Sequence, residues 1–109
     1  MATTYSTLGQ SNPAATTQTT LYTCPASTQT VVSSLVVCNQ GASSATYRLA
    51  IRKNAATLDA SMYIVYDASV GANSTTAYTL GMTVDASDLI TVYASTATMS
   101  FTAFGSEIA

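Results

Sequence analysis

The chain has 109 residues, 48% of them hydrophobic and only 7% charged, with a formal net charge of −2. That length supports one domain with one core, the apolar content excludes a disordered chain, and three cations, Arg48, Arg52 and Lys53, are too few for the row of phosphate contacts that a nucleic-acid surface needs. Charged residues make up roughly 25% of an average soluble domain; here 20 Thr and 14 Ser take their place, so the expected surface is hydroxyl-rich, easily desolvated and suited to packing against neighbours.

Residues 1–18 are expected to form an extended N-terminal arm. This segment is rich in Thr, Ala and Gln, contains Pro13 and has no clean period, with Tyr5 and Leu8 as isolated apolar residues. It reads either as a frayed terminus or as a docking arm whose Tyr5 and Leu8 fit a neighbour. Residues 19–109 are expected to form the folded domain. A first strand over 19–23 ends at Pro25. A second over 30–38 carries Val31, Val32, Leu35, Val36 and Val37, and its apolar run predicts burial on both sides. Asn39-Gln40-Gly41 then makes a turn. The third strand, 46–52, is the clearest: Tyr47, Leu49 and Ile51 alternate with Arg48, Ala50 and Arg52. A fourth spans 62–66, a loop runs from Asp67 to Asn73, and a fifth strand covers 74–80 up to Gly81. Asp85-Ala86-Ser87-Asp88 is a polar turn, followed by strands over 89–94 and 98–104. One helical turn within 58–62 is the most helix the pattern allows. These short strands and turn signals predict an all-β fold, a single antiparallel β-sandwich of about seven strands with the extended arm.

The residue inventory argues against catalysis. With no His, the common triads, most zinc sites and the usual neutral-pH base are absent. Cys24 precedes a proline in a turn and Cys38 ends an apolar strand, so both read as structural. If strands 19–23 and 30–38 form a hairpin, Cys38 lies roughly 26 Å along the second strand, beyond the reach of a disulfide to Cys24. Two free thiols follow, as in a reducing cytoplasm. Asp85 and Asp88 flank a turn, where Asp caps its own backbone; two carboxylates are also a poor calcium set. Asn73-Ser74-Thr75 matches a glycosylation acceptor, a match that a Ser/Thr-rich sequence produces by chance. The start, Met-Ala-Thr-Thr-Tyr-Ser-Thr-Leu, has no basic segment or apolar run and reads as no secretory signal. No stretch is long and apolar enough to be read as a membrane span. No cofactor or metal is expected. Among the seven tyrosines, Tyr47 and Tyr93 follow core-like patterns; an exposed sugar-stacking platform is the alternative reading of the set.

The runs Leu21-Tyr22-Thr23-Cys24-Pro25, Thr30-Val31-Val32-Ser33-Ser34-Leu35-Val36-Val37-Cys38-Asn39, Tyr47-Arg48-Leu49-Ala50-Ile51-Arg52, Tyr63-Ile64-Val65-Tyr66-Asp67, Leu80-Gly81-Met82-Thr83, Asp88-Leu89-Ile90-Thr91-Val92-Tyr93 and Phe101-Thr102-Ala103-Phe104-Gly105-Ser106-Glu107 together resemble small virion structural proteins of tailed bacteriophages, especially those infecting cyanobacteria. The resemblance covers most of the chain, from about Leu21 to Ile108, and is a pattern across strands with no catalytic motif. It implies a non-enzymatic β-sandwich part of a virion, assembled in the host cytoplasm. Its partners would be other virion proteins (the major capsid protein or tail proteins) and copies of itself, with no nucleic acid and no membrane. The first expectation is a capsid decoration (cement) protein on the outer shell. A tail, baseplate or fibre-associated adaptor is the second, and a carbohydrate-binding module the third. Tyr5, Leu8, Leu21, Tyr22, Arg52 and Lys53 are the expected partner contacts. A secreted β domain kept soluble by its hydroxyls is the bland alternative.

Overall fold

Apolar residues recur at every second position through much of the chain, and the fold turns that period into strands. In the computed structural model, which describes residues 2–109, nine strands follow one another: β1 (Thr3–Ser11), β2 (Thr19–Thr23), β3 (Gln29–Asn39), β4 (Ala45–Arg52), β5 (Tyr63–Val70), β6 (Thr75–Tyr78), β7 (Met82–Val84), β8 (Leu89–Ala94) and β9 (Met99–Ile108). Single 3₁₀ turns at Lys53–Ala55 and Ala60–Met62 lie between β4 and β5. No helix among the described residues is long and apolar enough to cross a membrane.

All strand pairs are antiparallel. One sheet runs β1-β9-β3-β6, with β7 also pairing β3; the other runs β2-β8-β4-β5. β6 opposes residues 35–38 of β3 and β7 opposes residues 30–32. The two are therefore one strand interrupted at residues 79–81, where Gly81 takes a φ of 61° that suits a residue without Cβ. Counted so, four strands face four, and the chain crosses from one sheet to the other at every connection but β4–β5. Two such sheets with this order form a β-sandwich of the jelly-roll type.

The core lies between the sheets. Val32, Leu35 and Val37 from β3 and Met99, Phe101 and Ala103 from β9 meet Tyr47 and Leu49 from β4 and Ile90 and Val92 from β8, all buried. The Tyr47 ring packs edge-on to Phe101, with centroids 6.2 Å apart, and its hydroxyl shares a hydrogen bond with that of Tyr78. Burial, then that bond, pushes the Tyr47 phenol well above its ordinary range.

Several expectations are revised. The expected arm is extended, but from Thr3 to Ser11 it is paired along its length with β9 as the edge strand of the first sheet; Met1 lies outside the described residues. β1 carries no period because its first five residues are exposed on both faces. β3 is buried on its inner side only: Val31, Val36 and Cys38 remain half-buried on the outside. β5 runs on past Tyr66, since Asp67 takes a positive φ of 54° and forms a bulge opposite Arg48 without ending the strand. The last strand likewise continues to Ile108. Cys24 and Cys38 are free, but the hairpin premise fails: β2 pairs β8 in one sheet while β3 belongs to the other.

Candidate functional site

The three cations and five carboxylates are unevenly distributed. The five strands of the first sheet hold only Glu107. Its carboxylate accepts from the Tyr22 hydroxyl at 2.5 Å, and that hydroxyl also shares a hydrogen bond with Thr30 Oγ1 at 2.8 Å. Burial, reinforced by Glu107, pushes the Tyr22 phenol well above its ordinary range. Thr30 is buried, so Glu107 turns toward the interior on the same side as Thr30, its register partner.

The outer face of this sheet is consequently uncharged. Tyr5 lies opposite Ser106, Ser106 opposite Val31 and Val31 opposite Thr83, forming one row; Thr7, Phe104 and Ser34 form the next. Tyr5 is 82% exposed and Phe104 40%. Between them is a shallow depression of about 420 Å³, walled also by Val31 and Ser33. Val36 and Cys38 extend the face toward the other end of β3. Covering such a surface strips water from hydroxyls and apolar groups but from no charge, which removes the largest desolvation cost of association. At strand rise and spacing, β3 and its neighbours outline a face on the order of 700 Å², close to the ~800 Å² that each partner contributes to a standard interface.

The second sheet is different. On its outer face Arg48 donates to Asp67 at 2.7 and 3.2 Å. Its guanidinium lies 4.2 Å from the centre of the Tyr66 ring and 4.4 Å from that of Tyr93. The cation contacts both rings while the carboxylate binds it. The hydrogen bonds from Arg48 hold the Asp67 carboxyl below its usual range.

The third cluster lies where the β7–β8 turn meets the 3₁₀ turn after β4. Asp88 Oδ2 accepts from Lys53 Nζ at 2.6 Å and from the Asp85 N–H at 2.8 Å, and Oδ1 accepts from the Asn54 N–H at 2.9 Å. Burial raises the Asp88 carboxyl, but Lys53 and the two N–H groups outweigh it and hold the group below its ordinary value. The Asp88 side chain thus caps its own turn and ties a second loop to it. Chemically these are structural contacts. Cys24 Sγ is buried against Thr30 Oγ1 at 3.3 Å, the Thr28 carbonyl at 3.4 Å and the Val84 carbonyl at 3.8 Å, with no cation in that set to activate it. Among the described residues no three His, Cys, Asp or Glu side chains gather as a metal set.

The expected partner contacts are scattered. Tyr5 is exposed on the uncharged face, and Leu8 is half-buried at the bulge of β1, packed against the core. Leu21 and Tyr22 are buried between the sheets, so neither has a surface to offer a partner. Arg52 donates to the Ala56 carbonyl at 2.7 Å, pinning its own loop, and Lys53 is bound to Asp88. Val31, Val36 and Phe104, which were not among the expected partner contacts, form the apolar part of the face. Their signal was present in β3 and β9, where the positions between core residues carry no charge. No protein-family model matches the chain, and no curated protein is similar to it in sequence.

Proposed function

We propose that the protein is a non-enzymatic structural component of a phage virion, a capsid decoration (cement) protein docked on the outer shell through the outer face of the β1-β9-β3-β6/β7 sheet. The observation that carries this reading is the segregation of charge. An uncharged face near the size of a standard interface suits permanent contact with a neighbour and would serve a freely diffusing protein badly. The edge strands, β1, β6 and β7 of the first sheet and β2 and β5 of the second, also lack Lys, Glu and Pro, the usual guards against edge-to-edge pairing; in an assembly a neighbour covers them. The strand-by-strand resemblance to small virion proteins agrees, as does the jelly-roll architecture that capsid domains share.

Quantitative mass spectrometry of purified particles tests the location. A copy number in simple ratio to the major capsid protein supports decoration; a copy number matching tail components moves the protein to the tail or baseplate. Cys38 tests the face itself. It should react with a maleimide in the free protein and be protected on the particle, whereas equal reactivity in both states rules out this face.

A further inference from the structure

The geometry points to a pyranose-binding subsite on the opposite side of the molecule, in the cleft formed by Leu58, Asp59, Ala60, Tyr63 and Tyr66. This subsite is independent of the docking face and stands or falls separately from it. The cleft has a volume of about 600 Å³, within the usual range for small-molecule sites.

Its walls are fixed by the local fold. Tyr63 opens β5, and Tyr66 stands three residues on, just before the Asp67 bulge. Their rings meet edge-to-face, with centroids 4.9 Å apart at 86°. Tyr66 is backed by Arg48, which Tyr93 and Asp67 hold in place. It nevertheless remains 60% exposed, far more than a tyrosine of the core. Asp59 forms the polar edge. It caps the 3₁₀ turn at Ala60–Met62, with Oδ1 accepting from the Ser61 N–H at 2.8 Å and from the Ser61 hydroxyl at 2.5 Å. Those two bonds hold the Asp59 carboxyl below its usual range, so it is ionised at neutral pH. Among the described residues no protein donor reaches Oδ2.

Held aromatic rings beside a fixed carboxylate with a free acceptor oxygen match the two-sided chemistry of a pyranose. Its C–H face lies on a ring, and its hydroxyls donate to the carboxylate and to the phenol oxygens. An ammonium ligand would also seek aromatic faces, but Arg48 already occupies one face of Tyr66. The free Asp59 oxygen and the two phenols together suit a polyhydroxylated ring, and the ammonium is the competing ligand in the test.

The test is a nuclear magnetic resonance titration of the full chain with a panel of methyl pyranosides of gluco, galacto and manno configuration, and in parallel with tetramethylammonium chloride. At least one pyranoside should shift the resonances of residues 58–66 saturably, with shifts at the uncharged face absent. Tyr66→Ala should weaken that binding at least tenfold, and Asp59→Asn several-fold, both variants keeping the dispersed spectrum of the folded chain. Silence toward every pyranoside, shifts from tetramethylammonium alone, or binding indifferent to both substitutions would each overturn the assignment.

Discussion

Replacing Asp88 separates two contributions that the fold combines in one side chain. The carboxylate is 1% exposed and holds two backbone N–H groups and Lys53. Lys53 is 59% exposed, so its ammonium regains water when the partner is removed and contributes little to the loss. The N–H groups of Asn54 and Asp85 lose a charged acceptor, at ~1.5–3 kcal/mol each. Asp88→Ala should therefore destabilise the fold by about 4 kcal/mol, and Asp88→Asn, which keeps one acceptor oxygen, by about 2 kcal/mol. The effect has a defined pH dependence. Because the carboxyl binds its proton more weakly folded than unfolded, its contribution is complete above the ordinary Asp value of 3.8 and is lost as pH falls through the lower folded value. Urea unfolding of wild type and Asp88→Asn at neutral pH and in acid measures the gap directly. The gap should shrink in acid, where the protonated wild-type side chain is neutral as well. A gap below about 1 kcal/mol at neutral pH, or one that does not shrink, would show that the ionised Asp88 carboxylate does not stabilise the fold. Asp59 and Asp67 also bind protons more weakly than usual, so the test is the gap and not the acid sensitivity of wild type alone.

Three further substitutions probe other parts of the fold. Asn39→Ala should cost about 3 kcal/mol in chemical denaturation, since the buried amide donates to the Ser43, Gly71 and Val70 carbonyls and accepts from the Gly41 N–H and Thr98 hydroxyl, tying together three loops at one end of the sandwich. Thr91→Val should stabilise by about 1 kcal/mol, because among the described residues the Thr91 hydroxyl is a buried polar group with no partner and the replacement has the same shape; a loss of stability would mean that the hydroxyl is satisfied. Gly105→Ala should lower stability by about 3 kcal/mol, as its Cβ would lie 2.0 Å from the Val31 carbonyl oxygen across the β3–β9 bulge; an unchanged thermal midpoint would show that the bulge yields.

The inner strands were the legible part of the fold. Tyr47 and Leu49 in β4, and Met99, Phe101 and Ala103 in β9, alternate because one side of each strand faces the core. β1 escaped notice because hydrogen bonding alone makes it a strand; pairing leaves no mark on the side-chain pattern when both faces are wet. The Asp88 turn was legible as a self-capping turn, but its link to Asn54 and Lys53 depends on two loops meeting. Asn39 read as the start of a turn and is a buried knot, since four of its five partners are backbone groups that any sequence could supply. The cleft was half legible. Tyrosines suggested stacking, but which ones are outside was decided by the sandwich: Tyr22 and Tyr47 are inside, while Tyr63 and Tyr66 are brought together beside Asp59 by a 3₁₀ turn and a bulge that no period announces.

The sheet order has a consequence for how the molecule comes to be made. β9 lies between β1 and β3, and β8 between β2 and β4. Two strands that leave the ribosome after β1–β7 are thus central members of their sheets. Until they emerge, β1 has no partner to pair with, and β3 and β4 each lack one of theirs. The nascent chain must wait with uncharged, β-branched strands uncovered, and pairings between distant segments close slowly. Synthesis of this chain therefore favours conditions that shield incomplete copies from one another, and a ribosome stalled before Met99 releases a product with no way to complete its first sheet.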